Sequence, residues 1–445
     1  MKSILLKNIR AVDSDTDINC DILIDGGVIK KISGEIKDSA DSEYDCTGLV
    51  VMPGLFDMHV HFRDPGYTYK EDIITGAASA LYGGFTGVAC MPNTNPVADN
   101  VETLNYIIEK GRHTGVRIYP VASITEGLKG EKLCDYPMLK AAGAVAVSDD
   151  GRPVESQEML RAGMIEASKC GLLTISHCED LDIIKDGKIN KGKISEELGI
   201  PGMDRLSEDS ITEREIITSK NTGCPIHIAH VSTKGSVDLI RKYKKNGVKV
   251  TCETCPHYFM LTDELLRTMD ADYRMNPPLR EESDRLAIIN GICDGTIDCI
   301  VTDHAPHSEE DKSDFLKAPN GVVGLETSLA AVLTGLYHTG MISLKRISGL
   351  MSENPRRVLG LSELNIREGM QAELTLVDTE KKWIVDPCSF KSKSSNSACP
   401  AFRNGNLMES INGESAQIHV CCLHIHSPSS VLVRTPADAK SRTSA

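Results

Sequence analysis

The sequence has no apolar run approaching the roughly 18 residues that a bilayer span requires, which excludes a membrane helix. Its opening, Met1-Lys2-Ser3-Ile4-Leu5-Leu6, passes at once into charged sequence, too short and too polar for a secretory signal. No basic stripe offsets the formal net charge of −14, so neither nucleic acid nor an anionic membrane is an expected partner. An anionic small molecule would need locally placed cations. The 15 cysteines show no framework spacing and lie scattered through apolar runs, as reduced, buried thiols of a cytoplasmic protein do. Cys252 and Cys255 form a CxxC without a second pair, which argues against a structural zinc knuckle.

The 445 residues, 40% hydrophobic and 25% charged, suit a soluble enzyme with one large domain and an accessory one. Residues 1–48 read as short strands, Ile4–Lys7, Asp21–Ile24 and Val28–Ile32, with turns between them. From about residue 49, eight apolar runs alternate with amphipathic stretches. The runs are Leu49–His61, Thr86–Asn93, Arg117–Ile124, Gly143–Asp150, Leu172–Cys178, Pro225–Ser232, Val248–Cys255 and Asp298–Pro306. Helices are expected over Ser156–Lys169, Lys234–Lys245 and Ser283–Asp294. Eight such units have the size of a (β/α)8 TIM barrel, here over residues 49–360. Residues 361–397 return to strand texture, so the two ends are expected to build one small composite β domain. The composition shifts again over residues 398–445, an atypical tail onto which no regular structure is read. It is expected to pack poorly and to be dispensable for the site.

The polar residues at the run ends carry the chemistry. His59-Val60-His61 closes the first run, and period-2 alternation puts both imidazoles on one face. Asp149-Asp150 ends the fourth run, His177 the fifth, His230 the sixth, and Asp303-His304 the eighth. In a barrel the C-terminal strand ends share one pocket, and a buried cluster of carboxylates and imidazoles calls for a cation. Nitrogen and oxygen ligands suit Zn²⁺, with Mn²⁺ or Co²⁺ as substitutes. Such a cation activates water and polarises a carbonyl, and an adjacent carboxylate can carry the proton; together these hydrolyse amides. His227, three residues before His230, falls on the opposite face by parity and reads as a core or helix-contacting histidine. His257 follows the seventh run as a candidate supporting residue. His419, His424 and His426 with Cys421-Cys422 match a metal tract in composition only.

The motifs resemble those of the cyclic amidohydrolase superfamily and, within it, the class I dihydroorotases of the bacterial and archaeal type. The stretches that carry the resemblance are His59-Val60-His61-Phe62-Arg63-Asp64-Pro65-Gly66, Cys90-Met91-Pro92-Asn93-Thr94-Asn95-Pro96-Val97 and Ser148-Asp149-Asp150-Gly151. Further on come Ser176-His177-Cys178-Glu179-Asp180, His230-Val231-Ser232-Thr233-Lys234-Gly235, Arg274-Met275-Asn276-Pro277-Pro278-Leu279 and Thr302-Asp303-His304-Ala305-Pro306-His307. The resemblance implies that His59, His61 and Asp303 hold one metal, that His177 and His230 hold a second, and that Asp150 bridges them. One or two Zn²⁺ per subunit follow. Asp303 would also be the catalytic acid and base. His61, Arg63, Asn93, Asn276, His307 and the Asn320-Gly321 backbone would bind the substrate, Arg63 offering a fork for a carboxylate. The implied reaction is the reversible interconversion of N-carbamoyl-L-aspartate and (S)-dihydroorotate in pyrimidine synthesis. A homodimer or an assembly with aspartate transcarbamoylase is implied in the same way.

Two alternatives stand beside it. Dihydropyrimidinases, hydantoinases and allantoinases typically bridge their metals with a carboxylated lysine at the end of the fourth strand, where this sequence offers Asp149 and Asp150. An inactive scaffold homologue is expected to have lost ligands, and all six positions are filled. The family's closing strand pattern is replaced after Ser397 by Ala398-Cys399-Pro400-Ala401-Phe402.

Overall fold

A strand covered by helices on one side and a packed barrel interior on the other is buried on both faces, which makes its sequence continuously apolar. In the computed structural model, which describes residues 3–399 and the backbone of three later segments, each of the eight apolar runs contains one such strand. In spatial order they are Leu55–Val60, Phe85–Cys90, Arg117–Ala122, Ala146–Ser148, Leu173–Ser176, Ile226–Ile228, Val250–Thr254 and Cys299–Ile300. Neighbours in this order pair parallel throughout. A bridge between Val60 and His304, with His61 N donating to His304 O at 2.8 Å, brings the eighth unit back to the first. The result is a near-closed (β/α)8 barrel. Phe56, Val88, Val147, Ile175, Ile228 and Ile300 are buried in its core.

The covering helices begin where short polar side chains can cap them. Ser156 accepts from Met159 N at the head of Gln157–Lys169, and Thr233 from Ser236 N at the head of Lys234–Lys245. Each such cap is worth about 1 kcal/mol. Glu282–Asp294 ends on Gly295, whose left-handed backbone (φ 84°) suits a residue without a Cβ.

The first apolar run is not one strand. It divides at Gly54, where a Cβ would sit 2.2 Å from Thr86 Oγ1, so only glycine allows the chain to pass. Before that point, Val50–Pro53 belongs to a second sheet, parallel to Ile4–Val12 and antiparallel to Leu374–Val377. That sheet continues through Asp17–Asp25 to Val28–Ser33, and Ser42–Asp45 also pairs with Ile4–Val12. Leu6, Ile9, Ile22, Val51, Leu374 and Leu376 form its buried core, drawn from both ends of the chain. The expectation for residues 398–445 falls mostly outside the described residues. Within them, Cys422–Ile425 pairs antiparallel with Leu374–Val377, and Val431–Val433 with Cys422–Ile425. The side chains of His419, His424, His426, Cys421 and Cys422 lie outside the described part. Among the described residues no helix is long and apolar enough to cross a membrane.

After the second sheet the chain returns to the barrel mouth. Ser394 Oγ donates to Lys70 O (2.8 Å) and Lys393 Nζ to Thr68 O (2.7 Å). Asn396 donates to Gly321 O (3.0 Å), while its amide oxygen accepts from His307 N (3.2 Å). Residues 392–396 thus form a strap joining the loop after the first strand to the loop after the eighth.

Candidate metal centre and active site

At the C-terminal ends of the strands the structure brings His59, His61, Asp150, His177, His230 and Asp303 into one buried cluster. Asp150 lies at its middle. Its Oδ1 is 3.4 Å from His59 Nε2, 3.6 Å from His177 Nδ1 and 3.7 Å from His230 Nε2, and its Oδ2 is 3.4 Å from His61 Nε2. Two ligand triads result, His59–His61–Asp150 and Asp150–His177–His230, sharing the one carboxylate. Asp303 Oδ1 stands 3.1 Å from His61 Nε2 and 3.7 Å from His59 Nε2, beside the first triad.

The donor set fits a cation. His59 Nε2 and Asp150 Oδ1 are buried and, among the described residues, make no hydrogen bond. Both point into the cluster, where orphaned acceptors would otherwise carry a desolvation penalty. The titration of the neighbours tells the same story. Burial drives the Asp150 carboxyl upward, yet His59, His177 and His230 outweigh it and hold the group well below the usual carboxylate range. Burial opposes a charged His177, but Asp150 and Glu179 raise it to about 10. The protonated ring thereby supplies positive charge that a divalent ion would supply instead.

Backbone conformation aims these groups. Arg63, His230 and Asp303 are left-handed (φ 59°, 32° and 47°), a region that side chains with a Cβ rarely adopt. The turn at each strand end rotates the residue out of the pleat. That turn also breaks parity. His227 does not face away from the site, as its three-residue offset from His230 implies, but lies in the barrel with Nε2 3.2 Å from Glu253 Oε2. His257 is buried, and burial holds its ring down at about 4.

The expected substrate residues fall into three groups. Asn93 stands behind His61, its Oδ1 2.9 Å from Nδ1. Asn276 donates to Glu179 Oε1 (2.8 Å), and Glu179 Oε2 lies 3.4 Å from His177 Nε2. These residues line one recess with Pro277 and Arg280. Arg63, His307, Asn320 and Gly321 form the third group. Arg63 Nε donates to Pro306 O (3.3 Å), with Nη2 3.4 Å from His307 Nε2. His307 Nε2 lies 2.8 Å from Asn320 O, and Gly321 N donates to Arg274 O (3.0 Å). Burial and the charges of Arg63, Lys70 and Lys312 push His307 down to about 2, so its ring is neutral. The Asn320 carbonyl then takes the Nε2 proton, and Nδ1 accepts from Lys70 Nζ at 3.2 Å.

Four participants escaped the sequence reading: Glu179, quoted in a motif but given no role, Lys70, Asp57 and Glu253. Asp57 accepts from His59 N and Thr302 N, tying the first strand to the eighth. Glu253 is the one charged residue of the buried strand Val250–Thr254, a signal that its side chain needs a buried partner.

Residues 48–236 match the family described as dihydro-orotase-like. The dihydroorotase of Trichlorobacter lovleyi is 46% identical over 400 residues, 89% of this chain and 94% of that one. That of Acetivibrio thermocellus is 46% identical over 408 residues, 91% and 96% of the two chains. Among solved structures, the L-hydantoinase (dihydropyrimidinase) of Arthrobacter aurescens is similar with a TM-score of 0.83 at 25% identity, covering 97% of this chain and 96% of that one. A dihydropyrimidinase from Brevibacillus agri gives 0.79 at 20% identity, covering 97% and 95%, a likeness of fold. With identity at this level running almost the length of both sequences, the chain belongs to the dihydroorotase family.

Proposed function

We propose that the chain is a zinc-dependent dihydroorotase of the cytoplasm, interconverting N-carbamoyl-L-aspartate and (S)-dihydroorotate. The observation that carries the substrate assignment is Arg63, a half-buried guanidinium at the rim of the ligand cluster. A half-buried fork of this kind suits an anion, and dihydroorotate carries a carboxylate beside its cyclic amide. Dihydrouracil and hydantoin have none. Asp150 at the end of the fourth strand, where hydantoinases typically place a carboxylated lysine, supports the same choice.

His59, His61 and Asp303 would hold one Zn²⁺, His177 and His230 a second, with Asp150 between them. Bound there, the metal would supply Lewis acidity, polarising the amide carbonyl and making water acidic enough to lose a proton near neutral pH. The remaining work falls to the chain. Burial pushes the Asp303 carboxyl up, but His61, His59 and His230 hold it below the ordinary range, so it is ionised and can accept a proton. It would take the proton of water as the water oxygen adds to the ring carbonyl carbon. It would return that proton to the ring nitrogen as the C–N bond breaks. Arg63, with Asn93, Asn276, His307 and the Asn320-Gly321 backbone, would hold the ring in place. The sheet shared by both ends of the chain supports reading residues 1–48 and 361–397 as one β domain around a barrel of 49–360, except that Val50–Pro53 belongs to that sheet and not to the barrel. Assembly as a homodimer or with aspartate transcarbamoylase rests on the family resemblance.

The test is an assay of zinc-loaded protein with carbamoyl aspartate, dihydroorotate, hydantoin, dihydrouracil and allantoin. Turnover of the first two is expected; preference for a ring without a carboxylate would overturn the assignment.

A further inference from the structure

Glu253 lies on the seventh strand with no exposed surface, 194 positions from His59 in sequence, yet its Oε1 is 2.5 Å from His59 Nδ1. Its other oxygen is 3.2 Å from His227 Nε2. His227 is the register partner of Thr251, and its Nδ1 is 2.8 Å from the Thr251 hydroxyl. Thr251 and Glu253, two apart on one strand, share a face. Four residues from three strands therefore form a continuous polar line, Thr251–His227–Glu253–His59, through the barrel interior.

A fully buried carboxylate is costly without donors; here His59 Nδ1 hydrogen-bonds one oxygen, and His227 Nε2 stands 3.2 Å from the other as an ion-pair contact. The consequence for His59 is specific. A neutral imidazole carries one proton, and a carboxylate at 2.5 Å draws it to Nδ1. Nε2 is then left with a lone pair, facing Asp150 Oδ1 at 3.4 Å and Asp303 Oδ1 at 3.7 Å. A lone pair opposed to two carboxylates is repulsive unless a proton or a metal cation lies among them. The other ligand imidazoles are held differently. His61 Nδ1 meets the neutral amide of Asn93, and His177 Nε2 meets Glu179 at 3.4 Å, nearer the pocket's edge.

We infer that Glu253, braced by His227, is a positioning residue that fixes the orientation and tautomer of His59 and so prepares one of the two cation positions. The inference rests on the metal reading of this site. Glu253→Gln is nearly isosteric, but its amide can donate to Nδ1 and thereby move the ring proton to Nε2, where it blocks the cation.

The experiment measures Zn²⁺ affinity of the full chain by competition with a chromophoric chelator. In parallel, nitrogen NMR of histidine-labelled protein reads the ring tautomers. Glu253→Gln is expected to weaken one site about 10- to 100-fold and, in the metal-free protein at alkaline pH where the rings are neutral, to convert one histidine from the Nδ1–H to the Nε2–H form. His227→Asn, which keeps a donor near Glu253 but shortens the brace, is expected to weaken the same site less. Circular dichroism and cooperative unfolding establish that each variant folds. Unchanged affinity and tautomer in folded Glu253→Gln, beside normal zinc binding by the wild type, overturn the positioning role alone. If that variant does not fold, unchanged affinity in His227→Asn overturns it. A wild-type chain that takes up no zinc removes the metal reading and this inference together.

Discussion

Asp303 Oδ1 lies 3.1 Å from His61 Nε2, across 242 positions of sequence, with the Asp303 backbone in the left-handed region. The carboxylate is thus aimed at the His59–His61–Asp150 triad by its own backbone. Asp303→Asn keeps the shape and removes the basic oxygen. It should lower kcat by at least about 10²- to 10⁴-fold while calorimetry still detects binding of dihydroorotate. Retained turnover would refute the acid and base role.

Arg63 is expected to select for the ring carboxylate. In Arg63→Met the KM for dihydroorotate should rise about 10- to 100-fold, the scale of a lost charge-assisted hydrogen bond. The already poor turnover of dihydrouracil should hardly move. Equal losses for both rings would show that Arg63 supports the site without reading the substrate.

Chelation should abolish turnover, and added zinc should restore it. Because the cation binds only the folded cluster, the loaded protein should also gain stability, by about 4 kcal/mol at a thousandfold excess over Kd. Calorimetric melting of stripped and loaded protein measures this. Identical melting temperatures would contradict a buried cation.

Glu215 links stability to pH away from the metal ligands. Burial pushes its carboxyl up to about 7 against the opposing effect of Arg214, whose Nη2 is 2.6 Å from Oε1. A raised folded pKa favours the protonated form. Its stabilising contribution is therefore full below the ordinary value of 4.5 and is lost as pH rises towards 7. Glu215→Gln removes this loss. Urea unfolding should show the variant gaining on the wild type between these limits, by at most about 3 kcal/mol above them. A difference that stays flat with pH rejects the assignment.

Asn396 is the clamp of the strap. Asn396→Ala leaves His307 N and Gly321 O without their partners, at about 1–3 kcal/mol each. KM should rise while kcat holds, because the loop that carries His307 is loosened and the cation ligands are not. An unaltered KM would separate the strap from substrate binding.

Much of the site was legible because its chemistry sits at strand ends. His59 and His61 obey the period of two, and Asp150, His177, His230 and Asp303 each follow an apolar run. The helices were legible where caps mark them, as at Ser156 and Thr233. What escaped needed the third dimension. Nothing near Gly54 announces that Thr86 occupies the space of its missing Cβ. Parity misplaced His227 because the chain leaves the pleat before His230. Glu253 went unnoticed in the sequence, because only the closed barrel sets His59 against it.

The strap also orders events in time. Synthesis runs from the first residue to the last at about 5–20 residues per second, so every ligand of the cluster leaves the ribosome before Asn396 exists. For several seconds a nascent chain can hold the complete set of imidazoles and carboxylates under a mouth that nothing yet fastens. The cluster is thus complete in sequence before its clamp is, and fastening the mouth is the last of these structural acts.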